Sequence, residues 1–171
     1  MQNQIGKILL EDGQLEQARA RFDEAMMIAK ASGDAAGKAL SSNNLGLYYV
    51  NKSDPQNALA QYRIAAGLMN ELRDVDGLTM VMINVGEVYL RAGKTTQAQV
   101  YFDKARTNVL SSTDRSSALQ RLNKIADIYI ASGQSADAVA YLYDALEIAR
   151  ETGNRRLERK ISDQLEKLQR S

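Results

Sequence analysis

Apolar residues return along this chain at helical spacing. Between residues 34 and 73, Leu40, Leu45, Tyr48, Tyr49 and Val50 form one group, and Ala58, Tyr62, Ala65 and Ala66 form a second. Neither group alternates with the period of two that a strand requires. Two helices are therefore predicted, one from about Asp34 to Asn51 and one from about Pro55 to Leu72. The pattern then recurs at steps of 40 residues. Segments beginning at Asn3, Asn43, Ile83 and Asn123 superimpose without a gap. A fixed period of this size implies stacked supersecondary units, each of which buries its apolar face only against its neighbours. The expected fold is all-α: a solenoid of four helix-turn-helix repeats over about residues 1–33, 34–73, 74–113 and 114–153, closed by a capping helix over 154–170.

The punctuation has the same period. Asp34, Asp74, Asp114 and Asn154 share one phase, and each is a candidate N-cap, because its side chain can accept a hydrogen bond from an amide left unpaired at a helix start. Gly13, Ser53, Gly93 and Gly133 share another, between the two helices of a unit, where a left-handed residue ends the first helix. Pro55, the single proline, stands where the second helix of its unit begins, a position that needs no N–H. Small residues occupy fixed phases as well: Gly6, Gly46, Gly86 and Ala126; Ala18, Ala58, Ala98 and Ala138; Ala25, Ala65, Ala105 and Ala145. Large ones fill others: Phe22, Tyr62, Phe102 and Leu142, and Tyr49, Tyr89 and Tyr129. Large facing small is the interlocking of a dense core.

The ends depart from the period. At a 40-residue step the cap of the first helix would precede Met1, so that helix is expected to be short, as in a chain cut from something longer. At the other end Leu157, Ile161, Leu165 and Leu168 make a single stripe, with Arg155, Arg156, Arg159, Lys160, Lys167 and Arg170 mostly off it. One apolar and one charged face suit a terminal capping helix.

Composition narrows the function. The chain has 22 basic and 21 acidic residues, so no overall field attracts nucleic acid or an anionic membrane. Most tyrosines lie at core phases. Tyr48, Tyr141 and Tyr143 are expected to be more exposed, but no basic stripe interleaves with them, and nucleic acid is not an expected partner. There is no histidine or cysteine, which removes the commonest general base and the commonest transition-metal ligands. No enzyme activity, metal or cofactor is expected. No apolar run reaches the length of a membrane span and no signal peptide is visible, so no membrane association is expected and the cytoplasm is the expected compartment. Two local matches are decoys. Gly93-Lys94-Thr95 resembles the end of a phosphate-binding loop, but Val88 stands where that loop needs glycine and the segment follows a helix. Asn51-Lys52-Ser53 fits a glycosylation acceptor, a tripeptide frequent by chance.

The chain resembles the tetratricopeptide repeat family. Gly46, Tyr49, Ala58, Tyr62 and Ala65 carry the likeness in the second unit, and Gly86, Tyr89, Ala98, Phe102 and Ala105 in the third. The first unit has Leu9 for the tyrosine. The fourth has Ala126 for the glycine and Leu142 for the aromatic. The family's early tryptophan and unit-closing proline are absent, and the period exceeds the common one of about 34 residues. This is similar to the long-repeat branch, which includes kinesin light chains and the sensor regions of many bacterial regulators. The resemblance implies a right-handed superhelix whose concave groove, lined by the first helix of each unit, binds a protein or peptide. The alternative is a sensory, regulatory or dimerisation module of a larger bacterial regulator. Self-association through the short N-terminal edge is a third expectation.

The family pattern places groove residues around the mid-helix glycine. They are Gln4, Asn44, Asn84 and Lys124 at one phase, Lys7, Leu47, Glu87 and Asp127 at the next, and Glu11, Asn51, Arg91 and Ala131 at a third. A carboxamide both donates and accepts, so Asn44 and Asn84 are candidates to clamp a peptide backbone, while Lys7, Glu87, Arg91, Lys124 and Asp127 would set specificity. The same asparagines could instead hydrogen-bond the neighbouring helix or face water. Leu40, Leu47, Met80 and Ile83 are candidates for an apolar floor or for helix-packing core. The carboxylate clamp of chaperone-tail binders maps to Asn3, Lys7, Asn44, Met80 and Asn84, where only Asn44 agrees, so that ligand is not expected.

Overall fold

The computed structural model describes residues 1–170. Among them are nine helices and no strand: α1 (Gln2–Glu11), α2 (Leu15–Ala31), α3 (Ala35–Asn51), α4 (Pro55–Glu71), α5 (Val75–Arg91), α6 (Thr95–Ser111), α7 (Arg115–Ala131), α8 (Ser135–Glu151) and α9 (Arg155–Gln169). Each helix packs on the next, and α1, α3, α5 and α7 also touch in succession. The fold is a helical repeat solenoid in which the first helices of the units lie side by side. None of the described helices is long and apolar enough to cross a membrane.

The caps follow the sequence phases. Asp34, Asp74 and Asp114 each accept the amide of the residue three positions on, at 2.9, 2.8 and 3.0 Å, and Asn154 does the same for Leu157 at 3.2 Å. Asp54 accepts from Asn57 ahead of Pro55. The turns within units do use left-handed backbone: Gly93 has φ 71° and Ser53 φ 56°. Ser53 shows that the turn, set by the repeat, imposes this conformation even where glycine is lacking. A second left-handed phase, not expected from the sequence, closes the turns between units at Gly33, Arg73 and Gly153. The turn between α6 and α7 breaks this rule, with Ser112 extended at φ −72° and ψ 139°. The third and fourth units are tied by Arg121–Asp76 at 2.6 Å and by a two-pronged pair between Arg106 and Asp144, while Arg115–Glu151, at 2.6 Å, joins α7 to α8 within the fourth unit.

The core lies between the helices of each pair. Ala18, Ala58, Ala98 and Ala138 are all fully buried, as are Phe22, Tyr62, Phe102 and Leu142. A Cβ added at Gly6, Gly46 or Gly86 would overlap the ring of Phe22, Tyr62 or Phe102. The fourth unit, with Leu142 for the ring, carries Ala126 for the glycine. Tyr129 belongs to the core, whereas Tyr49 and Tyr89 are only half-buried beside it. Two exposure expectations are corrected. Tyr48 and Tyr141 are buried, because each ring packs against aromatic neighbours while its hydroxyl donates to a carboxylate at the rim, Glu16 and Asp103 respectively, both at 3.2 Å. Only Tyr143 of that group is exposed. On α9, Ile161 and Leu165 are buried and Leu157 and Leu168 pack on the same core, leaving the basic face outward.

Candidate functional site

The helical period decides what α7 presents to the row of first helices. Gln120, Asn123, Lys124, Asp127 and Ala131 fall at i, i+3, i+4, i+7 and i+11, one stripe of a helix. That stripe lines a cavity of about 750 Å³, together with Glu87 and Arg91 from α5 and Leu157 from α9. Leu119 and Ile128 add apolar wall. A space of this size is within the range of ligand pockets.

Five of the residues singled out from the sequence meet here: Glu87, Arg91, Lys124, Asp127 and Ala131. Glu87 pairs with Arg91 at 2.6 Å, one turn apart on α5. Asp127 is exposed, with only a long contact of 3.5 Å from the Gln164 amide of α9. The Lys124 ammonium donates to Asn84 Oδ1 at 2.7 Å and approaches Met80 Sδ at 3.8 Å. Burial holds its pKa below the ordinary lysine value; Glu87 opposes that shift and the positive charge of Lys7 adds to it. Among the described residues Lys124 forms no ion pair.

The other candidates sit elsewhere. Gln4, Lys7 and Glu11 are exposed on α1. Asn51 is exposed and its amide donates to Leu47 O of its own helix at 2.9 Å, while Leu47 is half-buried beside the core. Leu40 is exposed, Met80 half-buried and Ile83 fully buried. Asn44 and Asn84, the candidate backbone clamps, are each 1% exposed. Their amides are spent between helices. Asn44 donates to Asn3 Oδ1 at 3.1 Å, and Asn84 to Asn43 Oδ1 at 2.9 Å. Each reaches back one unit, and Asn3 in turn donates to Ser41 Oγ at 3.1 Å. In the third unit Ile83 stands where Asn3 and Asn43 offer an oxygen to the next unit, and the longer Lys124 of the fourth takes the oxygen of Asn84 instead. The result is a buried polar ladder that fixes the register of α1, α3, α5 and α7.

The sequence leaves that ladder as one of two alternatives, because a carboxamide suits a ligand and a neighbouring helix equally well. The adjacent pair Asn43-Asn44, one residue looking forward and one back, was the available signal. Gln120, Asn123 and Leu157 were missed because only three phases were considered, and the stripe on α7 is wider than that.

Comparisons with known proteins come down on the same architecture. Over nearly its full length the chain is similar to a solved Podosopora anserina structure described as having kinesin light chain nearly identical TPR-like repeats, with 14% identity, coverage of 98% of this chain and 93% of that one, and a TM-score of 0.65. A single-substitution variant of that protein gives 14% identity, coverage of 99% and 95%, and a TM-score of 0.64. The apo form of RapI is 17% identical, covers 99% of this chain with 51% of its own length, and has a TM-score of 0.62. No curated protein matches the sequence. The Tetratricopeptide repeat family matches residues 1–71 and 78–151, and the chain belongs to that family.

Proposed function

We propose that the chain is a scaffold that holds a segment of another polypeptide in the groove over α5, α7 and α9. The observation that carries this reading is the cavity of about 750 Å³ left open by the packing of the repeats, with apolar wall and both signs of charge around it. Solenoids expose extended surfaces of this kind because each unit contacts only its neighbours, and a groove of mixed lining suits a peptide that inserts alternate side chains. Arg91 and Asp127 serve as rim charges and the Asn ladder serves as frame.

A bulky plug tests the reading. Ala131 lines the cavity and is exposed, and Ala140 is exposed on α8 outside it. For a binder chosen from an array of extended heptapeptides, Ala131→Trp is expected to reduce affinity about tenfold or more while Ala140→Trp leaves it unchanged. Equal affinity for both variants would count against the groove.

A second reading, association of two copies through the N-terminal edge, has its own observation. Ile5 and Ile8 are 37% and 59% exposed, whereas Leu45 and Tyr48 at the same phase are 7% and 2%, covered by the preceding unit. Light scattering against concentration tests it. A monomer at high concentration would exclude it, and a dimer dispersed by Ile8→Gln would support it.

A further inference from the structure

Of the four residues at the phase of Gln4, Asn44, Asn84 and Lys124, only the last carries charge. Its ammonium has three donors. One is satisfied by Asn84 at 2.7 Å, and Met80 sulfur at 3.8 Å is a weak second acceptor. The acid whose charge it feels, Glu87, is held by Arg91 at 2.6 Å. The positive charge of Lys7 on α1 adds repulsion. An ammonium taken out of water without a counter-charge is costly. Here it lies in the wall of an open cavity, where a carboxylate can be delivered to it.

Three residues further along α7, Asp127 is exposed and weakly contacted. Side chains at that spacing on a helix stand about 5–6 Å apart. Alternate side chains of an extended chain point the same way at about 6.6 Å. The two charges therefore match an acidic and a basic residue separated by one position. Leu119, Ile128 and Leu157 offer apolar contact alongside. Lys124 lies in the middle of α7, and the lining runs on past it toward Gln120 on one side and Ala131 on the other. A chain placed there continues in both directions, which favours an internal acidic side chain over a terminal carboxylate.

We infer that Lys124 is the specificity-determining residue of the groove, accepting an extended peptide in which an internal aspartate or glutamate meets its ammonium and a lysine or arginine two positions away meets Asp127. This rests on the groove reading above.

The test uses the full chain and fluorescence anisotropy with labelled, amidated heptapeptides. One peptide carries the acid–x–base order between leucines, one has glutamine for the acid, and one has the two charges reversed. A fourth has glutamine and a free C-terminal carboxylate. The acid–x–base peptide is expected to bind about tenfold more tightly than its glutamine counterpart. Lys124→Met should abolish that difference while keeping the affinity for the glutamine peptide, and Lys124→Arg should restore part of it. Asp127→Asn should weaken the preference for the base and leave the preference for the acid. Equal binding of acid and glutamine peptides, an undiminished preference in Lys124→Met, or binding that requires the free terminus would each overturn the inference. If the peptides bind without charge preference and Ala131→Trp blocks them, the groove reading stands and only this inference falls. If none binds, both fall.

Discussion

The Tyr62 ring lies so tightly over Gly46 that a single added methyl on α3 would overlap its edge carbons. This pair is the fold's close approach within the second unit, repeated as Gly6 with Phe22 and Gly86 with Phe102. Gly46→Ala should gain helix propensity yet lose more through a displaced, fully buried ring, for a net cost of about 1–2 kcal/mol in urea unfolding. Adding Tyr62→Leu recreates the Ala126–Leu142 combination of the fourth unit. The two changes together should cost less than the sum of the singles, with a coupling of about 0.5 kcal/mol or more. Additive costs would show that the ring does not depend on the glycine.

The hydroxyl of Tyr62 has no hydrogen-bond partner within the protein and is fully buried. Burial pushes its pKa well above the usual tyrosine range. Phenylalanine occupies the same phase in the first and third units. Tyr62→Phe is therefore expected to be neutral or to stabilise by up to about 1 kcal/mol. A loss of that size would mean that the hydroxyl has a partner, such as a buried water.

Asn84 both donates to Asn43 and accepts from Lys124. Asn84→Ala leaves the buried Asn43 oxygen and the half-buried Lys124 ammonium without their partner and should cost about 1–3 kcal/mol. Lys124→Met leaves only the Asn84 oxygen unpaired and removes the desolvated cation, so it should be far milder or stabilising. The pH dependence has a definite sign. The folded pKa of Lys124 lies below its ordinary value of 10.5 because of burial. Between the two values the unfolded chain binds more protons, so wild-type stability gains as pH rises through that window. The stability difference between Lys124→Met and wild type should shrink accordingly as pH approaches 10.5, as read from paired urea titrations. A difference that does not change with pH would contradict the buried-ammonium account.

Two exposed caps give the same sign at the acid end of the pH range. Asp114 is held below the usual aspartate value by the Ser117 hydroxyl and then its amide, and Asp54 by the Asn57 side chain and then its amide. Their contribution is complete above the ordinary value of 3.8 and is lost as pH falls through the depressed folded values. The Asp54→Ala, Asp114→Ala double variant should melt lower than wild type at neutral pH, and the gap should narrow in acid. A constant gap would mean that the carboxylates do not act as caps.

Much of this was legible because the period is strict. A 40-residue step sets which residues share a role: Asp114 stands at the cap phase of Asp34 and Asp74, and Ala126 and Leu142 at the phases of Gly46 and Tyr62. The failures came where one side-chain chemistry serves two tasks. Asn44 and Asn84 carry the amides a peptide clamp needs, yet each is buried with its amide on an asparagine of the preceding unit, a contact between helices that no single phase encodes. Tyr48 and Tyr141 looked peripheral because the carboxylates that take their hydroxyls, Glu16 and Asp103, are distant in sequence. The turn at Ser112 departs from the other inter-unit turns, a local irregularity that the surrounding repeat conceals.

Amide hydrogen exchange with a bound heptapeptide tests whether ligand sits across α5, α7 and α9. Slowed exchange is expected in the segments bearing Glu87–Arg91, Gln120–Ala131 and Leu157, with α6 and α8 unchanged. Protection confined to α6 and α8, or to the Ile5–Ile8 edge of α1, would contradict that placement.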